Sequence, residues 1–273
     1  MAVITISRQV AALGDEIASA LAEKLGYVFI DRKEIEKRIV GLGFPEEKLK
    51  KYDERKPGFF ASLAKDRDEY LDYVQTAILE AANQNNCILI GRGAFVILEN
   101  VPNVIAVRLV ANDDIRKERL MKEFSWDEKK ALQRIQESDA NRMGFHKSFF
   151  NIPCDDATLF HSVINTGILS IDEVVTILET LTKNLITSEK ESAGQKKIQE
   201  MLVCQKLVNS LVFEHNLPIN FLHAQMKNDV IILQGVADST ALAEKAVAIA
   251  STIVKDKKIE SCISVVQDFK AYP

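Results

Sequence analysis

Val3-Ile4-Thr5-Ile6-Ser7-Arg8-Gln9-Val10-Ala11-Ala12-Leu13-Gly14-Asp15-Glu16 is the stretch on which the reading of the fold turns. Val3 to Ile6 is a short β-branched run and predicts a buried strand. Ser7 to Gly14 reads as a turn. A helix follows from Asp15 to about Lys24, with Ile17, Leu21 and Leu25 at helical spacing, and Gly26 supplies its C-terminal stop. A turn that delivers a helix N-terminus just after a strand can aim backbone N–H groups at an anion.

Outward from that unit the pattern repeats. Tyr27 to Ile30 predicts a second strand, and residues 32–66 are charged, mixed and helical in pieces. Asp68 to Asn83 carries Leu71, Val74, Ile78 and Ala81 on one helical face. Cys87 to Ile90 and Val104 to Val110 predict the third and fourth strands, the former ending in Gly91-Arg92-Gly93. Asn112 caps the next helix, and Ser125-x-x-Glu128 reads as a capping box that opens another, running to about Arg142. Val163-Ile164-Asn165 predicts a fifth strand. Ser170-x-x-Glu173 reads as a second capping box, with its helix ending near Leu185.

Short apolar strands alternating with amphipathic helices imply an α/β fold: a five-stranded parallel sheet with helices on both faces. Ligands on such sheets bind at the carboxyl ends of the strands. That expectation puts Ser7 to Gly14, Asp31-Arg32 and Gly91-Arg92-Gly93 on one rim.

Residues 187–197, TSEKESAGQKK, are polar and read as a linker between a domain of residues 1–186 and one of residues 198–273. In the second domain Ile198 to Phe213 is helical. Phe221 to Met226 and Val230 to Val236 form a hairpin turned at Lys227-Asn228-Asp229. Ala241 to Val254 is an Ala-rich helix, and Ile259 to Phe269 a closing strand. The result is a small α-β-β-α-β unit.

The 273 residues are 47% hydrophobic and 27% charged, with a net charge of −4, and the pI is about 5.7. The acidic balance argues against a broad nucleic-acid footprint. No run of about 18 apolar residues suggests a membrane span, and the first residues lack a signal-peptide pattern, so a cytoplasmic location is expected. Cys87, Cys154, Cys204 and Cys262 form no CxxC pair, and His146, His161, His215 and His223 show no metal-ligand spacing. Reduced structural thiols and ordinary imidazoles are expected.

Ile4-Thr5-Ile6-Ser7-Arg8-Gln9, Gly14-x-Glu16-Ile17-Ala18, Phe29-Ile30-Asp31, Ile90-Gly91-Arg92-Gly93, Arg116-x-x-Arg119, Asp139-x-x-Arg142 and Val163-Ile164-Asn165-Thr166 occur in that order. As an ordered set they resemble the cytidylate kinases, and more closely the cytidylate kinase-like group. The resemblance implies a P-loop kinase type of fold that binds ATP with Mg²⁺ and a CMP-like nucleoside monophosphate. It also implies site residues. Ser7, Arg8, Gln9, Gly14, Glu16, Asp31, Gly91, Gly93 and Asp139 are candidates for nucleotide or phosphate contact, and Arg92, Arg116, Arg119 and Arg142 for the catalytic cations.

Phosphoryl transfer needs charge neutralisation and alignment more than a covalent group. The turn Val10 to Glu16 departs from the phosphate-loop pattern. Gly14 stands where the lysine falls, Asp15 follows it, and Glu16 replaces the magnesium hydroxyl. Two readings stay open. Asp15 and Glu16 fill the helix's own anion site, or Glu16 coordinates Mg²⁺ while Arg8 replaces the lysine. Ala11 and Leu13 would be strained at positive φ. Arg92, between two glycines, has no evident packing role. Arg116 and Arg119 share a helix face that either meets ligand or is merely exposed. Asp139 and Arg142 meet ligand or form a surface ion pair. Asp31 binds ligand or caps the following segment. Trp126 reads as a packing residue, and Pro57-Gly58-Phe59-Phe60 as core, substrate cover or partner patch.

Val230-Ile231-Ile232-Leu233-Gln234-Gly235-Val236, Ala243 to Ala250 and Ile259-Glu260-Ser261-Cys262-Ile263 resemble a BON domain. That family implies a protein partner or membrane surface for the C-terminal unit.

Overall fold

Alternation along β1 (Val3–Arg8) decides which side chains meet which layer. In a strand, successive side chains point to opposite faces, so Ile4 and Ile6 share one face and Thr5 and Ser7 the other. The computed structural model describes residues 2–49 and 65–266. Through them run α1 (Gly14–Leu25), β2 (Val28–Ile30), α2 (Arg32–Gly41), α3 (Glu46–Leu49), α4 (Lys65–Asn83), β3 (Cys87–Ile90), α5 (Ala94–Ile97), β4 (Val104–Val110), α6 (Asp113–Phe124), α7 (Glu128–Phe150), β5 (Ser162–Asn165) and α8 (Ile171–Leu185). The first sheet has the order β2-β3-β1-β4-β5 and is parallel throughout. The five-stranded parallel sheet expected from the sequence is present. Its central strand lies between β3 and β4, where the strand order reverses and such sheets open a crevice.

One face is closed by α1 and α8. Ile4, Ile6, Ile88, Ile90, Ile105, Val107 and Leu109 of the sheet meet Ile17 and Leu21 of α1 and Val174 and Leu178 of α8 in one buried cluster. Each such side chain contributes about 1.5–3 kcal/mol by burial. The opposite face is covered by α4, with Tyr70, Val74, Ala77 and Ile78 buried, and by aromatic residues of α7, where Phe149 lies 5.5 Å from Tyr70 between ring centres.

Several predicted caps are present. Gly26 ends α1 at φ 66°, Asn112 accepts from the Ile115 N–H, and Ser170 with Glu173 forms a complete capping box. The box read at Ser125 is not there. Ser125 is the left-handed residue that ends α6, at φ 53°, and Asp127 caps α7 by accepting from the Lys130 N–H at 2.7 Å. A carboxylate two residues on takes the cap, and α7 continues past Arg142 to Phe150. Pro57 to Phe60, and Phe269 at the end of the predicted last strand, lie outside the described residues.

Residues Met1–Lys196 form one compact unit and Lys197–Pro273 another. The polar stretch expected to link them is helical, because α9 (Ser188–Asn209) runs through it. Its first turns have tertiary partners. Gln195 Nε2 donates to the backbone and side-chain oxygens of Asn83 at 3.2 and 3.1 Å. A Cβ on Gly194 would stand 1.9 Å from Asn103 Oδ1, so this glycine serves close approach rather than chain freedom.

The second unit contains β6 (Asn220–Lys227), β7 (Val230–Ala237), α10 (Thr240–Ile253) and β8 (Lys258–Val265). β6 and β7 pair antiparallel, and β7 and β8 pair parallel across the α10 crossover. Asn228 and Asp229, at φ 50° and 66°, make the two-residue hairpin turn. Ile231 and Leu233 pack with Leu207 and Leu211 of α9 and with Ala246 and Ala250 of α10. None of the described helices is long and apolar enough to cross a membrane.

Candidate functional site

The turn after β1 keeps a shape that its sequence resists. Ala11 and Leu13 sit at φ 57° and 55°, the strained conformations that their side chains oppose by about 1–2 kcal/mol each. Three things hold it. Gln9 N–H donates to the Leu109 carbonyl at 3.1 Å, and Gln9 Oε1 accepts from the Ala111 N–H at 3.0 Å. Arg119 Nη1 donates to the Ala11 carbonyl at 2.9 Å, and the same guanidinium reaches the Thr166 hydroxyl and carbonyl at 3.2 and 2.6 Å. Burial pushes Arg119 below its ordinary pKa, and the Glu16 charge opposes that shift.

Gly14 opens α1 beneath Arg8, where a Cβ would lie 2.7 Å from Arg8 Cγ. Asp15 and Glu16 occupy the exposed first turn, where negative charge suits the helix dipole. Among the described residues no three His, Cys, Asp or Glu side chains gather as a metal cluster.

The other candidates divide. Arg92, at φ 53° and 1% exposed, turns into the protein, where it pairs with Glu36 and donates to Tyr70 Oη at 3.2 Å. Glu36 also accepts from Arg32 at 2.7 Å. The sequence suggested no packing role for Arg92; Glu36 and Tyr70, distant in the chain, give it one. Arg116, 2% exposed, bonds both Asp139 oxygens, at 2.9–3.2 Å, and also Asp113. Asp139 is thus the clasp between α6 and α7, pairing with Arg116 rather than with Arg142. Asp31 caps α2, accepting from the Glu34 N–H at 2.8 Å.

Ser7, Arg8, Gly91, Gly93 and Arg142 come together. With Phe95 and His146 they line a small, partly open cleft at the carboxyl ends of β1 and β3. Arg142 donates to Ser138 Oγ, and its carbonyl accepts from His146 Nδ1 at 2.8 Å. Gly93, at φ 71°, leaves no room for a side chain, since a Cβ would meet Phe150 Cε2 at 2.4 Å. Arg92, Gln9, Glu16, Asp31, Arg116, Arg119 and Asp139 do not line this cleft.

Sequence reasoning missed Arg108. It lies in β4 in register with Ser7 and donates to Ser7 Oγ at 3.1 Å. The signal was a charged residue inside Val104-Ile-Ala-Val-Arg108-Leu-Val110, an otherwise apolar strand of a sheet buried on both faces.

Comparison with known proteins gives consistent results. The model of the cytidylate kinase-like family matches residues 3–168. A cytidylate kinase of Methanocaldococcus jannaschii is 30% identical over 128 residues, 46% of this chain and 70% of the relative. A cytidylate kinase of Methanopyrus kandleri is 28% identical over 138 residues, 48% of this chain and 72% of the relative. Among solved structures, an uncharacterized protein from Eubacterium ventriosum aligns with a TM-score of 0.53 at 20% identity, covering 67% of this chain and 99% of that one.

Proposed function

This chain belongs to the cytidylate kinase-like family, and from that premise we propose that it binds ATP and transfers a phosphoryl group to a nucleoside monophosphate of the CMP type. The observation that carries the reading is the turn Val10 to Gly14. Only Gly14 of the loop's glycines remains, yet Ala11 and Leu13 hold left-handed conformations before a helix N-terminus. Such strain persists where the surrounding structure enforces it, and Arg119 and Gln9 enforce it here. In this reading the turn receives the donor phosphates, and the cleft of Ser7, Gly91, Gly93 and Arg142 receives the acceptor phosphate. Arg8, lying over Gly14, supplies the charge that a lysine would. A magnesium ion keeps waters and phosphate oxygens and needs only one or two carboxylates, a demand that Glu16 suits. It would neutralise charge on the phosphates.

The test is ADP formation from MgATP with CMP, UMP, AMP and GMP in turn. Turnover with at least one is expected; none with any would overturn the proposal.

One observation favours a second reading, nucleotide sensing without turnover. Arg92 and Arg116, two cations that the family resemblance assigns to catalysis, are already paired with Glu36 and with Asp139 and Asp113. A ligand at about 100 times its Kd stabilises by about 2.7 kcal/mol. A raised melting temperature with ATP or CMP, and no ADP, would select this reading. For residues 198–273 the BON-like resemblance supports a partner- or surface-binding role. Co-sedimentation of the full chain with anionic vesicles tests the surface arm.

A further inference from the structure

The two edges of the second unit's sheet, which runs β6-β7-β8, are built differently. β6 is irregular between Asn220 and His223, where Phe221 sits at φ 54°. Irregularities of this kind turn an edge away from a further strand. β8 keeps unbroken register with β7 from Lys258 to Val265. From Ile259 to Val266 it holds no proline and no basic residue, and Glu260 is its one charge. An edge left so regular and so little charged is a template for another strand.

Hydrogen bonding shows which backbone groups that edge offers. Val266 N–H donates to the Ala237 carbonyl at 3.0 Å. In a parallel ladder alternate residues bond the same neighbour, so Glu260, Cys262 and Ser264 also address β7, while Ile259, Ser261, Ile263 and Val265 turn their amides outward. The outward Ile263 N–H donates to a side chain of its own strand, Ser261 Oγ, at 3.2 Å. Side chains alternate as well. Ile259 and Ile263 pack into the unit's core, and Lys258, Glu260, Cys262 and Ser264 stand exposed on the other face.

We propose that β8 pairs antiparallel with β8 of a second copy of this chain, about a two-fold axis at Cys262. The strand's own pattern selects that occupant and that register. Turned about Cys262, Ile259 meets Val265 of the other copy and Ser261 meets Ile263, so every outward residue of β8 gains a hydrogen-bonded partner. Lys258 faces Val266 and Glu260 faces Ser264, so no like charges are opposed. An axis at Glu260 would oppose two carboxylates, and one at Ser261 or Ile263 would set Val265 or Ile259 against residues outside β8. The pairing also covers Val265 and Val266, apolar side chains that are 38% and 58% exposed. Such a contact is isologous, each copy giving and receiving the same bonds. It requires neither phosphoryl transfer nor vesicle binding.

Light scattering of the full chain over a dilution series reads the association. Diamide, which accepts the two electrons and two protons of two thiols as a disulfide forms, reads the register. A dimer is expected. Opposed residues of a non-hydrogen-bonded pair have Cα atoms about 4.5 Å apart, inside the range of about 4.4–6.8 Å that a disulfide spans. Diamide should therefore link the copies through Cys262, and Cys262→Ser should stay dimeric but unlinked. Ser264→Glu sets a carboxylate against Glu260 of the other copy and should raise the dimer Kd about fivefold, whereas Ser264→Lys should lower it by a similar factor. Position 264 is exposed, so the fold accommodates either change. Glu260→Lys combined with Ser264→Glu should restore association. A chain monomeric at every concentration, a dimer that diamide does not link at Cys262, or Kd values that fail to move in opposite directions in the two Ser264 variants would each overturn the inference.

Discussion

Arg119 reaches from α6 to the carbonyl oxygen of Ala11 at 2.9 Å and so holds a residue that sits at φ 57°. The same side chain ties the segment after β5 through Thr166. One guanidinium thus joins the turn after β1, the α6 helix and the end of the sheet.

Arg119→Met should therefore do two things. It removes charge-assisted hydrogen bonds that contribute about 1.5–3 kcal/mol each where fully formed, and a net loss of about 1–3 kcal/mol is expected for this half-buried group. It also frees the turn, so the ATP-induced rise in melting temperature should shrink. Urea denaturation reads the first effect and ligand melts the second; an unchanged ATP response would show that Arg119 does not govern the turn.

Ala11→Gly separates strain from chemistry. Relief of a left-handed alanine is worth about 1–2 kcal/mol, and the added freedom of the unfolded chain takes back about 0.4–1 kcal/mol. A gain of about 0.5 kcal/mol is expected by denaturant titration. Ala11→Val should instead destabilise. A clear loss of stability in the glycine variant would contradict the left-handed turn.

Gly194→Ala tests the start of α9. In an exposed helix alanine is favoured over glycine by about 1 kcal/mol. Here its Cβ would stand 1.9 Å from Asn103 Oδ1 and 2.8 Å from Asn103 Cβ. Overpacking costs about 1–3 kcal/mol, so the variant should unfold at lower denaturant. A linker would show no loss.

The thiols give a pH prediction. Burial pushes Cys87 up to about 12 and Cys204 up to about 11. Unfolded thiols ionise near about 8.5. Between these values the folded chain holds protons that the unfolded chain has released, so stability falls as pH rises. Each thiol contributes a slope of up to about 1.4 kcal/mol per pH unit, from about pH 9 upward to its folded value. At pH 8 an exposed-thiol reagent should label Cys262, the exposed cysteine, and reach Cys87, Cys154 and Cys204 only on unfolding.

Local signals in the sequence carried most of the α/β unit. β-Branched runs marked the strands, and Gly26, Asn112 and Ser170 with Glu173 marked helix ends whose partners lie within five residues. What escaped depends on distant partners. Residues 188–196 are polar and helical because Asn83 and Asn103 receive them. Arg92 looked free of packing because Glu36 and Tyr70 lie 56 and 22 positions away. Ser125 fitted a capping pattern, but Asp127 was an equal claimant, and only the end of α6 decided between them. At the site, the sequence brought forward Ser7, Arg8, Gly91, Gly93 and Arg142, which do share a cleft, and passed over Arg108, which the pairing of β1 with β4 sets beside Ser7.

The ring of Phe150 fills the space where a side chain at Gly93 would go. Positions 93 and 150 are thereby bound in their sequence drift, since neither can grow unless the other yields. The end of α7 carries this record of the cleft's floor more than fifty residues downstream of it. A descendant that keeps the cleft should keep glycine at 93 whatever ring stands at 150. One that abandons the cleft is free to shrink Phe150 and place a side chain at 93, which makes this pair a marker for when a lineage stops using the site.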